Sequence, residues 1–213
     1  MKIKKFTFNP FMENTFVVWD EQSHEAAVVD PGMNDEQEER EFKSFIEENS
    51  LDIKYLINTH CHIDHILGCR FVKEKYNPVY YIPEKDLPLY DNADKQAEMF
   101  GVTLGKLPKI DKYLTEDERI ILGNESFSNL FTPGHTPGEF SLYFDESKFC
   151  ITGDVLFREG IGRTDLYGGD YKTLIESIKF KLFSLPDDIL FILGMVMKAQ
   201  SVTKNFIIRF WFE

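Results

Sequence analysis

Apolar residues come in short runs along this chain, and most of the runs are β-branched or aromatic. Segments 2–8, 14–20 (NTFVVWD) and 26–30 (AAVVD), separated by Pro10 and polar turns, are predicted as strands of a meander. Segment 35–49 has a different period. Phe42, Phe45 and Ile46 share one helical face and acidic residues lead, which predicts a helix whose first-turn charges complement its dipole. KYLIN (54–58) reads as a buried strand. Residues 65–76 suit a helix, 79–82 a strand, and 84–100 a polar helix carrying Tyr and Met. Strands recur at 119–122, 127–132, 140–144 and 149–152, followed by an amphipathic helix at 171–183 and a last strand at 189–193. This alternation predicts an α/β sandwich of mixed sheets with outer helices. The chain shows no internal repeat, linker or domain boundary, so one domain over 1–213 is expected.

The densest chemistry stands just past the strand at 54–58. NTHCHIDHILG (58–68) places His60, His62, Asp64 and His65 within six residues. Neutral imidazoles and carboxylates are the usual ligands of zinc and similar first-row metals. His60 and His62 can point the same way from an extended turn, while Asp64 and His65 fall where the chain bends into a helix and can face a second ion. A single His here would be a packed ring, and Asp64 a helix cap. Three His and an Asp after a buried strand read instead as a metal site. Two further stretches add donors. TPGHTPGE (132–139) sets His135 between Pro-Gly turns after a strand, and ITGDVLF (151–157) sets Asp154 after another. Taken alone, His135 reads as a turn residue and Asp154 as a cap, yet both sit on loops at strand ends, where sites are usually built.

Composition narrows the setting. The chain has 213 residues, 43% hydrophobic and 28% charged, enough to bury a core. A net charge of −12 and a pI near 4.9 disfavour an unaided grip on nucleic acid. The cysteines, Cys61, Cys69 and Cys150, are too few and odd in number for a disulfide framework and suit a reducing compartment. No apolar run of signal-peptide length follows the N-terminal basic residues, and none approaches the roughly 18 residues of a membrane span. A cytoplasmic protein without membrane or nucleic-acid partners is expected.

Together, THCHIDH, PGHTPG and TGDVLF, in this order and spacing, resemble the metallo-β-lactamase fold superfamily. GIGRTDLYGGD (160–170), followed by LIESI and LPDD, is similar to its hydroxyacylglutathione hydrolase (glyoxalase II) branch, in short single-domain form. The resemblance covers about residues 1–188 and implies an αββα sandwich. It also implies that His60, His62 and His135 hold a first metal, that Asp64 and His65 belong to a second, and that Asp154 bridges them. One or two zinc ions, with iron or manganese as alternatives, would then polarise a thioester carbonyl and acidify a shared water, which Asp64 would orient as the catalytic carboxylate. Cys61 is read as packing, and Arg163 and Asp165 as a structural pair behind the site.

The resemblance fails at the end of the chain. The family's last second-metal His lies in a PGHG run after the final strand; here ILGMVMKAQSVTKNFIIRFWFE follows, without a histidine. One reading is a diverged strand that packs on the core. The other is a single-base frame shift near Asp188. In the neighbouring frame the codons of 192–195 permit Pro-Gly-His, Met195–Val196 forces Gly, Met197–Lys198 forces Glu and Phe210–Trp211 forces Leu, which follows the family's ending. On this reading 189–213 is an aberrant tail.

The expected function is metal-dependent hydrolysis of a small-molecule thioester, such as a glutathione conjugate. The alternatives are a persulfide dioxygenase with one iron on His60, His135 and Asp154, or an impaired member of the family lacking its last ligand. A nuclease of the same fold is disfavoured by the acidic pI.

Overall fold

Successive residues of a strand face opposite sides of its sheet, and in this chain both sides are apolar. In the computed structural model, which describes residues 1–158 and 160–194 and the backbone of 202–203, this double-faced pattern yields two sheets with helices outside them. β1 (Lys2–Phe8), β2 (Glu13–Trp19) and β3 (Glu25–Val29) form an antiparallel meander. β4 (Asp52–Ile57), β5 (Val79–Ile82) and β6 (Lys112–Tyr113) extend it in parallel, in the order β1-β2-β3-β4-β5-β6. Its helices are α1 (Glu36–Glu48), α2 (Ile63–Ile66), α3 (Cys69–Tyr76), α4 (Leu87–Asp91) and α5 (Ala93–Phe100). Asp35 starts α1 by accepting from the N–H groups of Gln37 and Glu38.

The second half supplies β7 (Arg119–Leu122), β8 (Glu125–Phe131), β9 (Phe140–Phe144) and β10 (Phe149–Ile151). A small ribbon of β11 (Leu156–Phe157) and β12 (Gly160–Ile161), helix α6 (Tyr171–Ser177), β13 (Leu190–Ile192) and β14 (Val202–Thr203) follow. The sheet order is β14-β13-β10-β9-β8-β7, antiparallel except for the parallel pair β10–β13. Both sheets are therefore mixed, as predicted.

Alternation assigns each side chain its layer. Phe16, Val18, Ala27, Val29 and Ile57 of the first sheet meet Phe127, Leu142, Phe144 and Ile151 of the second between the sheets. Their neighbours Val17, Ala26, Val28 and Leu56 face outward onto Phe42 and Ile46 of α1 and Val72 of α3. On the far side Cys150, Phe191 and Leu193 pack against Leu174 of α6 and Ile178. The result is the αββα layering.

Helix lengths depart from prediction. The helix at 65–76 breaks at Leu67–Gly68 because the Gly68 N–H donates to Pro31 O (2.8 Å), and a Cβ there would lie 2.4 Å from the Met33 sulfur. The helix at 84–100 becomes a 3-10 turn (Glu84–Asp86), α4 and α5, interrupted at Asn92, whose amide reaches back to Pro88 O. The helix at 171–183 ends at Ser177 and widens into a π turn over Ile178–Leu182. β6, β11 and β12 have two residues each, too few to register as a period.

Candidate metal centre

β3, β4 and β5 run one way, as do β8, β10 and β13, so the loops leaving their carboxyl ends collect at one edge, where open α/β sheets build their sites. Asp30 follows β3, the His60–His65 run follows β4, and Asp86 follows β5. His135 follows β8, Asp154 follows β10 and Gly194 follows β13. Phe140 N–H donates to Thr59 O (2.9 Å) and Asn14 N–H to Gly194 O (3.1 Å), which stitches the two sheets together here. Asp30 adopts a left-handed backbone (φ 50°), a conformation that Asp tolerates better than most residues. Its carboxylate accepts from Thr59 N–H and Thr59 Oγ1, both at 2.7 Å, and so anchors the start of the ligand run.

The structure gathers all six expected donors, and each is nearly or wholly inaccessible to solvent. His60, His62 and His135 offer ring nitrogens within 4.8 Å of one another, and His60, His65 and Asp154 form a second such group. His62 Nδ1 and His135 Nε2 are 2.9 Å apart, and His135 Nε2 lies 3.6 Å from Asp154 Oδ2. Asp64 borders the second group with Oδ2 3.6 Å from His65 Nε2, and Asp154 Oδ1 stands 3.5 Å from the same nitrogen.

Outer partners select which nitrogen is free. His135 Nδ1 donates to Arg163 O (2.8 Å), which turns Nε2 toward His62 Nδ1 and Asp154 Oδ2. His60 Nδ1 faces Thr59 Oγ1 (3.1 Å) and Glu139 Oε1 (3.6 Å), and its Nε2 is buried without a partner. His65 Nδ1 faces Asp30 Oδ2 (3.3 Å) and Glu13 Oε1 (3.9 Å), and its Nε2 is likewise without a hydrogen bond. This arrangement, with a carboxylate or carbonyl behind a ring whose other nitrogen is free, is the one that orients metal-binding imidazoles.

Burial pushes His60 well below the ordinary imidazole range and His62 down to about 3, reinforced in each by neighbouring imidazoles, so both are held in the neutral ligand form. Burial also opposes charge on His65, but the carboxylates of Asp64, Asp154 and Asp30 outweigh it and hold this ring well above the ordinary range. Burial raises Asp64. Unpartnered buried nitrogens and an unpartnered Asp154 Oδ1 would be costly in an apolar site; a cation resolves them. The donor set of imidazoles and carboxylates fits a first-row divalent metal.

The two groups are unequal. Among the described residues, the second consists of His60, shared with the first, His65 and Asp154, with Asp64 at its border, and the position beside Asp154 is Gly194, where a Cβ would lie 2.6 Å from Asp154 Oδ1. β13 spans Leu190–Ile192, with Ile189, Phe191 and Leu193 buried. Most of 189–213, the stretch of the frame-shift reading, lies outside the described residues, which here are 189–194 and the backbone of 202–203.

The cap readings set aside for Asp64 and Asp154 have no counterpart in the structure: His62 occupies the position before α2, and Asp154 stands in a turn with no helix after it. Arg163 and Asp165 do pair (2.7 Å), but on the exposed surface; it is the Arg163 carbonyl that reaches the site. Cys61 is buried as expected, although its peptide N–H has a further partner in Asp86. Glu13, Asp30, Asp86 and Glu139 were not singled out by sequence. The available signal was an acid adjoining an apolar strand, as in VVDPG and PGEFSLY.

Comparison with known proteins agrees with this geometry. The family model described as "Metallo-beta-lactamase superfamily" matches residues 8–194. Hydroxyacylglutathione hydrolase GloC of Haemophilus influenzae is 39% identical over 201 residues, covering 91% of this chain and 90% of that protein. Human persulfide dioxygenase ETHE1 is 29% identical, covering 83% of this chain and 61% of its own length. The crystal structure of TTHA1623 in a di-iron-bound form superposes with a TM-score of 0.84 at 31% identity, covering 97% of this chain and 98% of that one. The chain belongs to the metallo-beta-lactamase superfamily.

Proposed function

We propose that this chain is a metal-dependent hydrolase of glyoxalase II type, acting on a small thioester such as an S-acylglutathione. The observation that carries the reading is the convergence of buried ring nitrogens on His60, His62 and His135, with His60 Nε2 and His62 Nε2 lacking any partner and Asp64, His65 and Asp154 beside them, in a chain 39% identical to GloC. His60, His62 and His135 would hold a first ion, Asp64 and His65 would contribute to a second, and Asp154 would serve both. Such an ion, zinc or iron or manganese in its place, would polarise the thioester carbonyl and lower the pKa of water.

The protein supplies the rest. Asp64 is fixed at its backbone by the Asn9 side chain, which donates to Asp64 O (3.0 Å). Its carboxylate, with the side chain 13% exposed, orients the attacking water and takes its proton at Oδ2. Water oxygen bonds to the acyl carbon, the C–S bond breaks, and the proton passes to the departing sulfur, leaving acid and thiol. The reaction requires no protein nucleophile, in keeping with the buried state of Cys61, Cys69 and Cys150.

A second reading, a persulfide dioxygenase, draws support from the likeness to ETHE1 and needs only His60, His135 and Asp154. Purified protein loaded with zinc or iron separates the two. We expect release of glutathione from S-lactoylglutathione without oxygen uptake; oxygen consumption with glutathione persulfide and no hydrolysis overturns the hydrolase reading. We further propose a cytoplasmic location and a single domain over 1–213. Among the described residues, no helix is long and apolar enough to cross a membrane.

A further inference from the structure

Asp86 is wholly buried. A carboxylate in that position persists only when hydrogen-bond donors replace its water. Asp86 stands at the start of α4, yet its side chain caps nothing there. Its oxygens turn instead to two separate loops. Oδ2 accepts from Cys61 N–H (3.1 Å), the peptide between His60 and His62, and from Thr136 Oγ1 (2.8 Å), beside His135. Oδ1 accepts from Gly138 N–H (2.7 Å) on the same His135 loop. Gly138 approaches so closely that a Cβ would lie 2.7 Å from Oδ1, which explains a glycine in TPGE where the turn alone does not demand one.

Resting on the reading that His60, His62 and His135 bind one ion, we propose that Asp86 is a positioning residue that sets the spacing of this triad by tying the His60–His62 loop to the His135 loop. Gln96 on α5 grips the first loop alone, accepting from Ile63 N–H (3.2 Å) and donating to Cys61 O (3.2 Å). The segment carrying Asp86 and Gln96 is thus a splint: Gln96 shapes one loop, and Asp86 sets the distance between two. Asp86→Asn keeps the shape but turns an NH2 toward one of the donors, because an amide has only one accepting oxygen. Thr136→Val removes a single bond, and Thr136→Ser retains it.

The test uses Co²⁺ as a spectroscopic probe on the full chain, with affinity measured by chelator competition and folding by far-UV circular dichroism. Asp86→Asn should bind Co²⁺ about 10–100-fold more weakly with an altered visible spectrum. Thr136→Val should shift both in the same direction by less, and Thr136→Ser should match the parent. Should Asp86→Asn fail to fold, the Thr136 pair decides, since equal spectra and affinities for Val and Ser overturn the proposal. Unchanged affinity and spectrum in folded Asp86→Asn overturn it too, while the metal reading stands. A parent chain that binds no Co²⁺ overturns the metal reading and this proposal with it.

Discussion

The two halves of the candidate centre are built differently. On the His60–His62–His135 side, each element is complete: three imidazoles, an outer partner for His60 and for His135, and burial that keeps His60 and His62 neutral. On the His65–Asp64–Asp154 side, carboxylates dominate, His65 is pushed toward its charged form, and the neighbouring backbone position is Gly194. Buried neutral imidazoles gathered this closely suit a cation. A ring already balanced by nearby carboxylates calls for one less strongly, because a proton on His65 can take its place. We propose that the first position is therefore the stronger of the two.

The largest expected effect comes from breaking the complete half. His135→Ala should remove the tightly held ion and abolish hydrolysis, exceeding the roughly 10–100-fold loss typical of an outer partner; elemental analysis and thioester turnover measure both. A variant that retains one full equivalent of metal would place the strong site elsewhere.

The next effect sharpens the weak half. Chain purified as it stands should hold one ion tightly and a second poorly. We propose that restoring the reading frame from Asp188 onward places Pro-Gly-His after β13, raising metal content toward two ions per chain together with solubility and turnover. The gene's codons test the premise: if those at 192–195 cannot spell Pro-Gly-His in the neighbouring frame, the tail is a true divergence.

The smallest effect lies at the opposite end of the sandwich and serves as a control. Asp20 accepts from Asn124 N–H (2.6 Å) and Gln22 N–H (2.7 Å), and these bonds hold its carboxyl down to about 2. Asp20→Ala should cost about 1–2 kcal/mol at neutral pH without changing metal content. Since the folded-state value is depressed, the contribution is present above the ordinary Asp range and disappears as pH falls through about 2. Thermal melts of parent and variant should therefore converge in strong acid; a constant gap would deny Asp20 this role.

Alternation by itself determined the main strands and a sandwich of mixed sheets with outer helices, and the spacing of His60, His62, Asp64 and His65 marked a metal site; the αββα layering and the places of His135 and Asp154 in the donor set followed from the family resemblance of the motifs. A period of two assigns each side chain a face, and an apolar run ending in His or Asp marks a strand end where a site can form. Helix breaks at Gly68 and Asn92 were hidden, because they depend on contacts with Pro31, Met33 and Pro88 rather than on local pattern. Asp30, Asp86, Glu13 and Glu139 were hidden for a related reason. A lone acid in the sequence resembles any solvated surface charge; only the folded chain buries it among N–H donors and imidazoles from loops far apart in sequence. Long-range approach also oriented two of the rings. Glu139 stands behind His60 Nδ1 and the Arg163 carbonyl accepts from His135 Nδ1, and contacts between distant segments have no period by which sequence could announce them.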